Sequence, residues 1–179
     1  MQWKTISKKY LMKTPFFKLR KDAVKLPSGL EIDDYYVFEK LNAAIVLGVT
    51  SDHQALLKKE YRYPIDKVLI ELPGGTFDPE KEDALAAAKR EYLEETGYQS
   101  DEWIDCGVFY NYPTKDTDKT HIFLAKNIRK VKEQNLEVTE DIMPFFVPVS
   151  ELKNMVLAGE IQVTGSITGI FKGLELIST

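Results

Sequence analysis

Three carboxylates, Glu91, Glu94 and Glu95, fall within one short segment rich in Ala, Leu, Glu, Lys and Arg. Those residue types favour a helix, and spacings of three and four gather side chains on one helical face. Ala84, Ala87 and Ala88 continue that face toward the N-terminus. Their small side chains let the helix press against a sheet while the carboxylates project from its last turn. The placement is electrostatically awkward. Acidic groups in a last turn oppose the helix dipole at about 0.3–1 kcal/mol each, and Glu91 repels Glu95 at i, i+4 by about 0.2–0.5 kcal/mol. Arg90 offsets only part of this. A bound divalent cation resolves the conflict. With no His or Cys nearby in the sequence, the oxygen donors point to Mg²⁺, with Mn²⁺ as the alternative. Taken alone, such a cluster also reads as an ordinary solvated face.

The helix that must carry these groups is expected over Asp83–Glu95, capped by Asp78 or Asp83 and closed by Gly97. Before it, residues 5–26 form a basic, apolar extended segment that ends in the turn Leu26-Pro27-Ser28-Gly29, followed by a second segment, Glu31–Lys40. Ala43–Val49 and Ala55–Tyr61 read as strands around the polar turn Ser51–Gln54, and Val68–Leu72 as a strand stopped by Pro73-Gly74-Gly75. Beyond the helix, strands are expected over Trp103–Tyr110, His121–Ala125 and Phe145–Val147. Ser150 is expected to cap a helix reaching Ala158, and a last helix spans Thr164–Ile177. Strands dominate the first half and helices are few, which gives an α+β class with helices on a mixed sheet.

The chain has 179 residues, 44% hydrophobic and 29% charged, so one domain with a real core is expected. Apolar runs are far short of the roughly 18 residues a membrane span needs, and no secretory leader is expected at the start. The net charge of −4 and scattered basic residues exclude a bulk footprint for duplex nucleic acid. A lone cysteine, Cys106, fits a reducing cytosol, so a cytoplasmic location is expected.

The neighbours of the carboxylates are more specific than the cluster itself. A Pro73-Gly74-Gly75 turn precedes Glu82, then seven residues lead to Arg90-Glu91-Tyr92-Leu93-Glu94-Glu95-Thr96-Gly97-Tyr98. This closely resembles the Nudix hydrolase box: Gly, five residues, Glu, seven residues, Arg-Glu-U-x-Glu-Glu-x-Gly-U, where U is bulky and apolar. The one departure is a loop longer by a residue between Gly75 and Glu82, with Thr76 at the expected glycine. Lys59-Glu60-Tyr61-Arg62, Glu71–Gly75, Pro113, Phe146–Leu152, Gly159-Glu160-Ile161 and the opening strands are similar to the ADP-ribose and nucleoside-diphosphate-sugar pyrophosphatase branch. Pro113-Thr114 departs from the branch's Pro-Gly pair.

The resemblance implies an α/β/α sandwich with a mixed sheet and added N-terminal antiparallel strands. It also implies one domain over 1–179, with strands in about 1–42 and the catalytic core in about 43–179. The implied activity is Mg²⁺-dependent hydrolysis of a nucleoside diphosphate sugar; triphosphates, dinucleoside polyphosphates or a purely regulatory binder are the alternatives. Glu91 and Glu95 are then the first metal ligands, joined by Glu94 and the Gly74 carbonyl. Arg90 is a scaffold residue paired with Glu71 or Glu94, and Glu82 is a cap or is reached by loop bending. The acidic stretch Glu137–Asp141 supplies the general base, with Glu140 first. Arg62 is expected to clamp phosphates, Glu71 to lie at the substrate, and Tyr35 and Tyr36 to alternate on a strand so that Tyr36 stacks on a base. Members of the branch exchange N-terminal strands across a two-fold dimer, so a homodimer is expected.

Overall fold

The fold is built on two sheets, described over residues 1–177 in a computed structural model. The smaller is three antiparallel strands, β1 (Lys4–Lys13), β2 (Phe17–Lys25) and β3 (Glu31–Lys40), in that order. The expected single segment over residues 5–26 is in fact a hairpin. It turns at Thr14-Pro15-Phe16, where Thr14 Oγ1 accepts from the Phe16 and Phe17 N–H groups at 3.2 and 3.0 Å. A proline and a hydroxyl that bonds backbone N–H groups two and three residues ahead are enough to reverse a chain.

The larger sheet has seven strands. Five run in the order β12 (Ile142–Pro148), β5 (Gln54–Arg62), β4 (Asn42–Val49), β10 (Thr120–Lys126), β9 (Glu102–Phe109). In addition β6 (Lys67–Glu71) pairs with β5, and β7 (Gly74–Phe77) with β4. The β4–β10 pair is parallel and the others antiparallel, so the sheet is mixed, as expected. Gly74–Phe77 is a strand where the sequence suggested only a stop, because Ala43, Ala44 and Ile45 offer it a free edge. A two-residue pair, β8 (Tyr98–Gln99) with β11 (Arg129–Lys130), is too short to leave a periodic signal.

Helices cover both faces of this sheet, which makes the α/β/α sandwich. Helix α1 (Ala84–Thr96) packs its Ala87 and Ala88, both fully buried, on Ala44, Val46, Leu56 and Phe123. Asp83, not Asp78, caps it, accepting at 3.0 Å from the N–H groups of Leu85 and Ala86. Gly97 closes it in the left-handed conformation (φ 77°). On the other face α2 (Leu152–Leu157) and α3 (Thr164–Ile177) cover Leu47, Leu57, Ile122 and Leu124. Ser150 is not a cap: it lies within a 3₁₀ turn, Val149–Glu151, that leads into α2 without a side-chain cap.

One core contact is costly. Tyr92 is fully buried on the sheet side of α1, edge-on to Trp103, and its hydroxyl has no hydrogen-bond partner among the described residues. Burial pushes that phenol far above its ordinary value. An unmade hydrogen bond of a buried group costs about 1–3 kcal/mol, so Tyr92→Phe is expected to raise unfolding stability by about 1 kcal/mol or more. Urea unfolding measures it; an unchanged or lower midpoint would show that the hydroxyl is satisfied.

Candidate active site

The carboxylates of α1 meet the sheet at its β5–β6–β7 corner. Because strand residues alternate, Lys58, Glu60 and Arg62 of β5 share the face that α1 covers. Glu95 is 3% exposed, and both its oxygens are used: Oε1 accepts from Lys58 Nζ at 2.5 Å and Oε2 from the Gly74 N–H at 2.7 Å. Burial pushes its carboxyl up to about 7, beyond what the Lys58 ammonium returns. Burial works against the ammonium too, but Glu95 together with Glu60, 2.8 Å away, more than offsets it and holds Lys58 above its ordinary value. Lys58 is therefore a cation shared between two buried carboxylates.

Glu91 and Glu94 face the more open side. Arg90 reaches Glu91 at 2.8 Å, Glu94 at 3.2 Å and Glu82 at 2.9 Å, and Glu82 first, then Glu91, raise its guanidinium far above its ordinary value. Arg90 thus takes the scaffold place expected of it, with Glu94 but not Glu71 as a partner. Glu82 reaches it because the turn after β7, with the Lys81 and Glu82 N–H groups donating to the Asp78 carbonyl, absorbs the extra residue of the loop. The Glu91 carboxyl is raised, chiefly by burial, with Glu94 and Glu140 adding like charge against the pull of Arg90.

That contribution places Glu140 within electrostatic reach of the cluster. The loop carrying it is tied to the end of α1: Gln134 Nε2 donates to the Glu95 carbonyl at 2.6 Å and to the Ile142 carbonyl at 3.2 Å, and the Asn135 N–H donates to the Glu94 carbonyl at 2.9 Å. Glu140 accepts from the Glu137 N–H at 2.9 Å, closing the turn on itself.

Two glycines make the corner possible. Gly74 sits at φ 147°, and a Cβ there would strike the Ala44 carbonyl and the Ile45 Cα. At Gly75 a Cβ would occupy the space that the Glu91 carboxylate fills. Beside them lies a cleft of about 400 Å³, lined among others by Arg62, Glu71, Gly74, Gly75, Asn111 and Ser166. Glu71 is 6% exposed, and Arg62 grips it bidentately at 2.8 and 2.7 Å while also reaching Glu60. The Glu71 bonds in turn raise the Arg62 guanidinium above its ordinary value. Arg62 thus faces the cleft with a fixed orientation, and Glu71 is the group that fixes it.

Tyr36 is not brought to this corner's sheet. It stands 41% exposed on β3, opposite Lys21. Tyr35 packs edge-on against Trp3 and donates to the Thr114 carbonyl at 2.6 Å, so neither tyrosine is in the core. Lys58 and Gln134 are the site residues that sequence reasoning missed. The alternation of charge at Lys58, Glu60 and Arg62 after the apolar run Ala55-Leu56-Leu57 is the available signal for the first; nothing local marks the second.

The donor set fits a hard divalent ion: carboxylate and carbonyl oxygens only, with a glycine cradle around Glu91. Among the described residues no three acidic groups converge closely enough to hold a metal as they stand. Lys58 and Arg90 neutralise the cluster instead.

The chain belongs to the Nudix hydrolase family: residues 39–163 match the NUDIX domain. It is a Nudix pyrophosphohydrolase of the branch that carries the nucleoside diphosphate sugar hydrolase N-terminal domain, which residues 3–38 match. The chain is 30% identical over 152 residues to the ADP-ribose pyrophosphatase of Bacillus subtilis, covering 85% of this chain and 79% of that one. It is 28% identical over 169 residues to the ADP-ribose pyrophosphatase of Mycobacterium tuberculosis (94% and 81%). The methanol dehydrogenase activator of Bacillus methanolicus is 30% identical over 140 residues (77% and 73%). The crystal structure of an ADP compounds hydrolase shares the fold, with a TM-score of 0.86 over 99% of this chain and 95% of that one at 16% identity. Among the described residues no helix is long and apolar enough to cross a membrane.

Proposed function

We propose that the protein hydrolyses the pyrophosphate bond of ADP-ribose or a related nucleoside diphosphate sugar in a Mg²⁺-dependent reaction, releasing a nucleoside monophosphate and a sugar phosphate. The observation that carries this reading is the cleft of about 400 Å³ whose lining includes Gly74 and Gly75, the residues that bond Glu95 and lie against Glu91. That volume suits a small-molecule ligand. Glu91, Glu95, Glu94 and the Gly74 carbonyl would hold the ion, with Mn²⁺ as the alternative. When bound it supplies charge neutralisation on the phosphates and a more acidic water. Glu140, whose Oε2 accepts from the Glu137 N–H and whose Oε1 is free among the described residues to act as base, accepts the proton of the attacking water, and Glu94 shares the acid–base work at the rim. Arg62, aimed by Glu71, binds the phosphates.

The same reading takes β1 as the surface of a homodimer. Every residue of β1 is exposed, with Ile6, Tyr10, Leu11 and Met12 giving it apolar area that a second copy would cover. Tyr36, exposed on the same sheet, is the candidate for stacking on the base. No nucleic acid partner is part of this reading, and the cytosol is the compartment it assumes.

The test is phosphate release under excess phosphatase from ADP-ribose, nucleotide sugars, dinucleoside polyphosphates and nucleoside triphosphates, each with Mg²⁺ and with chelator. Metal-dependent turnover of ADP-ribose or a nucleotide sugar is expected. Turnover confined to triphosphates or dinucleotides would move the substrate class, and binding without turnover of any of them would leave a regulator.

A further inference from the structure

Lys58 carries more than a structural ion pair requires. It is 1% exposed, in the middle of β5, and its ammonium touches Glu95 at 2.5 Å and Glu60 at 2.8 Å. Taking an ammonium out of water is costly; an apolar side chain at this one position would leave Glu95 and Glu60 buried without their counter-charge, while replacing all three groups together by apolar ones would cost folding little. Folding alone therefore gives little reason for the triad as a whole, and the cation is there because the carboxylates are. Its place is informative. It binds Oε1 of the most buried carboxylate of the cluster, whose Oε2 is already bound to the Gly74 N–H. An ion approaching Glu95 meets a fixed positive charge on that carboxylate. Glu60 Oε2 lies 2.8 Å from the ammonium and has no other partner among the described residues, so Glu60 too depends on this one cation.

We propose that Lys58 is a resident counter-ion that competes with the divalent ion for Glu95, so that the cluster alone binds divalent ions weakly and fills when a pyrophosphate brings its own negative charge. The inference rests on the reading of Glu91, Glu94 and Glu95 as metal ligands. In this arrangement the ammonium keeps Glu95 paired between turnovers. Metal loading and substrate binding then become coupled, because each lowers the charge cost of the other.

The test is Mn²⁺ binding to the intact protein without nucleotide, counted by electron paramagnetic resonance for wild type, Lys58→Met and Lys58→Arg. The Met variant removes the charge at similar length, and its Mn²⁺ dissociation constant is expected to fall by about tenfold or more, since two cations within a few ångströms repel by at least that much. The Arg variant is expected to stay with wild type. Equal or weaker binding by the Met variant overturns the proposal while leaving the metal site intact. Absence of Mn²⁺ binding by every folded form overturns the metal-ligand reading itself. The wild-type protein provides a second readout that needs no variant: the ¹⁵N signal of the Lys58 ammonium is expected to shift or broaden as Mg²⁺ is added. A signal that stays fixed while Mg²⁺ binds overturns the competition even if the Met variant fails to fold.

Discussion

Glu95→Gln is expected to lower kcat by about 10³-fold, equivalent to about 4 kcal/mol of lost transition-state stabilisation, while the protein stays folded. The activity loss follows from the proposed role: a neutral amide is a poor ligand for a hard divalent ion and leaves the phosphates less neutralised. The stability effect has two opposing parts. Glu95 accepts from Lys58 at one oxygen and from the Gly74 N–H at the other. An amide can keep one of these bonds only by turning its NH₂ toward the other donor, at about 1–3 kcal/mol. Against this, the amide no longer buries a charge. Burial lifts the wild-type carboxyl from its ordinary 4.5 to about 7, so between those values the folded chain holds a proton that the unfolded chain has released. That contribution to metal-free stability is complete below pH 4.5 and is lost as pH rises through about 7. Urea unfolding of the metal-free proteins at several pH values is expected to show this decline in wild type and its absence in Glu95→Gln. Wild-type turnover in the variant would remove Glu95 from the metal set, and an equal decline in both proteins would assign the titration to another group.

The parts of the site legible in the sequence are the parts built from local chemistry. The Asp83 cap, the Gly97 stop and the Glu91/Glu94/Glu95 face all lie within fifteen residues, where helical spacing alone relates them. The scaffold place of Arg90 also follows from spacing, since Glu94 is four residues on and Glu91 adjacent. Glu82 was harder: an ideal helix puts it opposite Glu91, and only the turn at Asp78 brings it back to Arg90. Lys58 and Gln134 were missed because their partners lie 37 and 39 residues away, and only the sheet and the loop after it bring them together. Local preference makes β7 a stop because glycines are poor strand formers; its position comes from the open edge of β4 and from the carboxylates that need those glycines. Where tertiary demand overrides local preference, the sequence shows the exception but not its cause.

Gly75→Ala separates the two reasons a glycine is found at this corner. At Gly74 the backbone itself excludes a side chain, since φ is 147° and the obstacle is the Ala44 carbonyl. Gly75 has an ordinary strand conformation, and the atoms a Cβ would meet there belong to the Glu91 carboxylate, its Cδ only 2.5 Å away. A flexible side-chain end can move, whereas backbone cannot. The substitution is therefore expected to change stability by less than about 1 kcal/mol, with the strand preference for a side chain over glycine offsetting the repacking. The Glu91 carboxylate must yield by about an ångström, and the side held by Arg90 is where it goes. A displacement of that size at a reacting centre costs about 10²-fold in rate. Steady-state turnover and a melting curve on the same preparation check both halves. The expected result is an intact melting temperature with kcat/KM down by about 10²-fold and weaker Mn²⁺ binding. Full activity with the carboxylate displaced would show that Glu91 does not hold the ion, and a collapsed melting temperature would show that Gly75 is needed by the backbone, as Gly74 is.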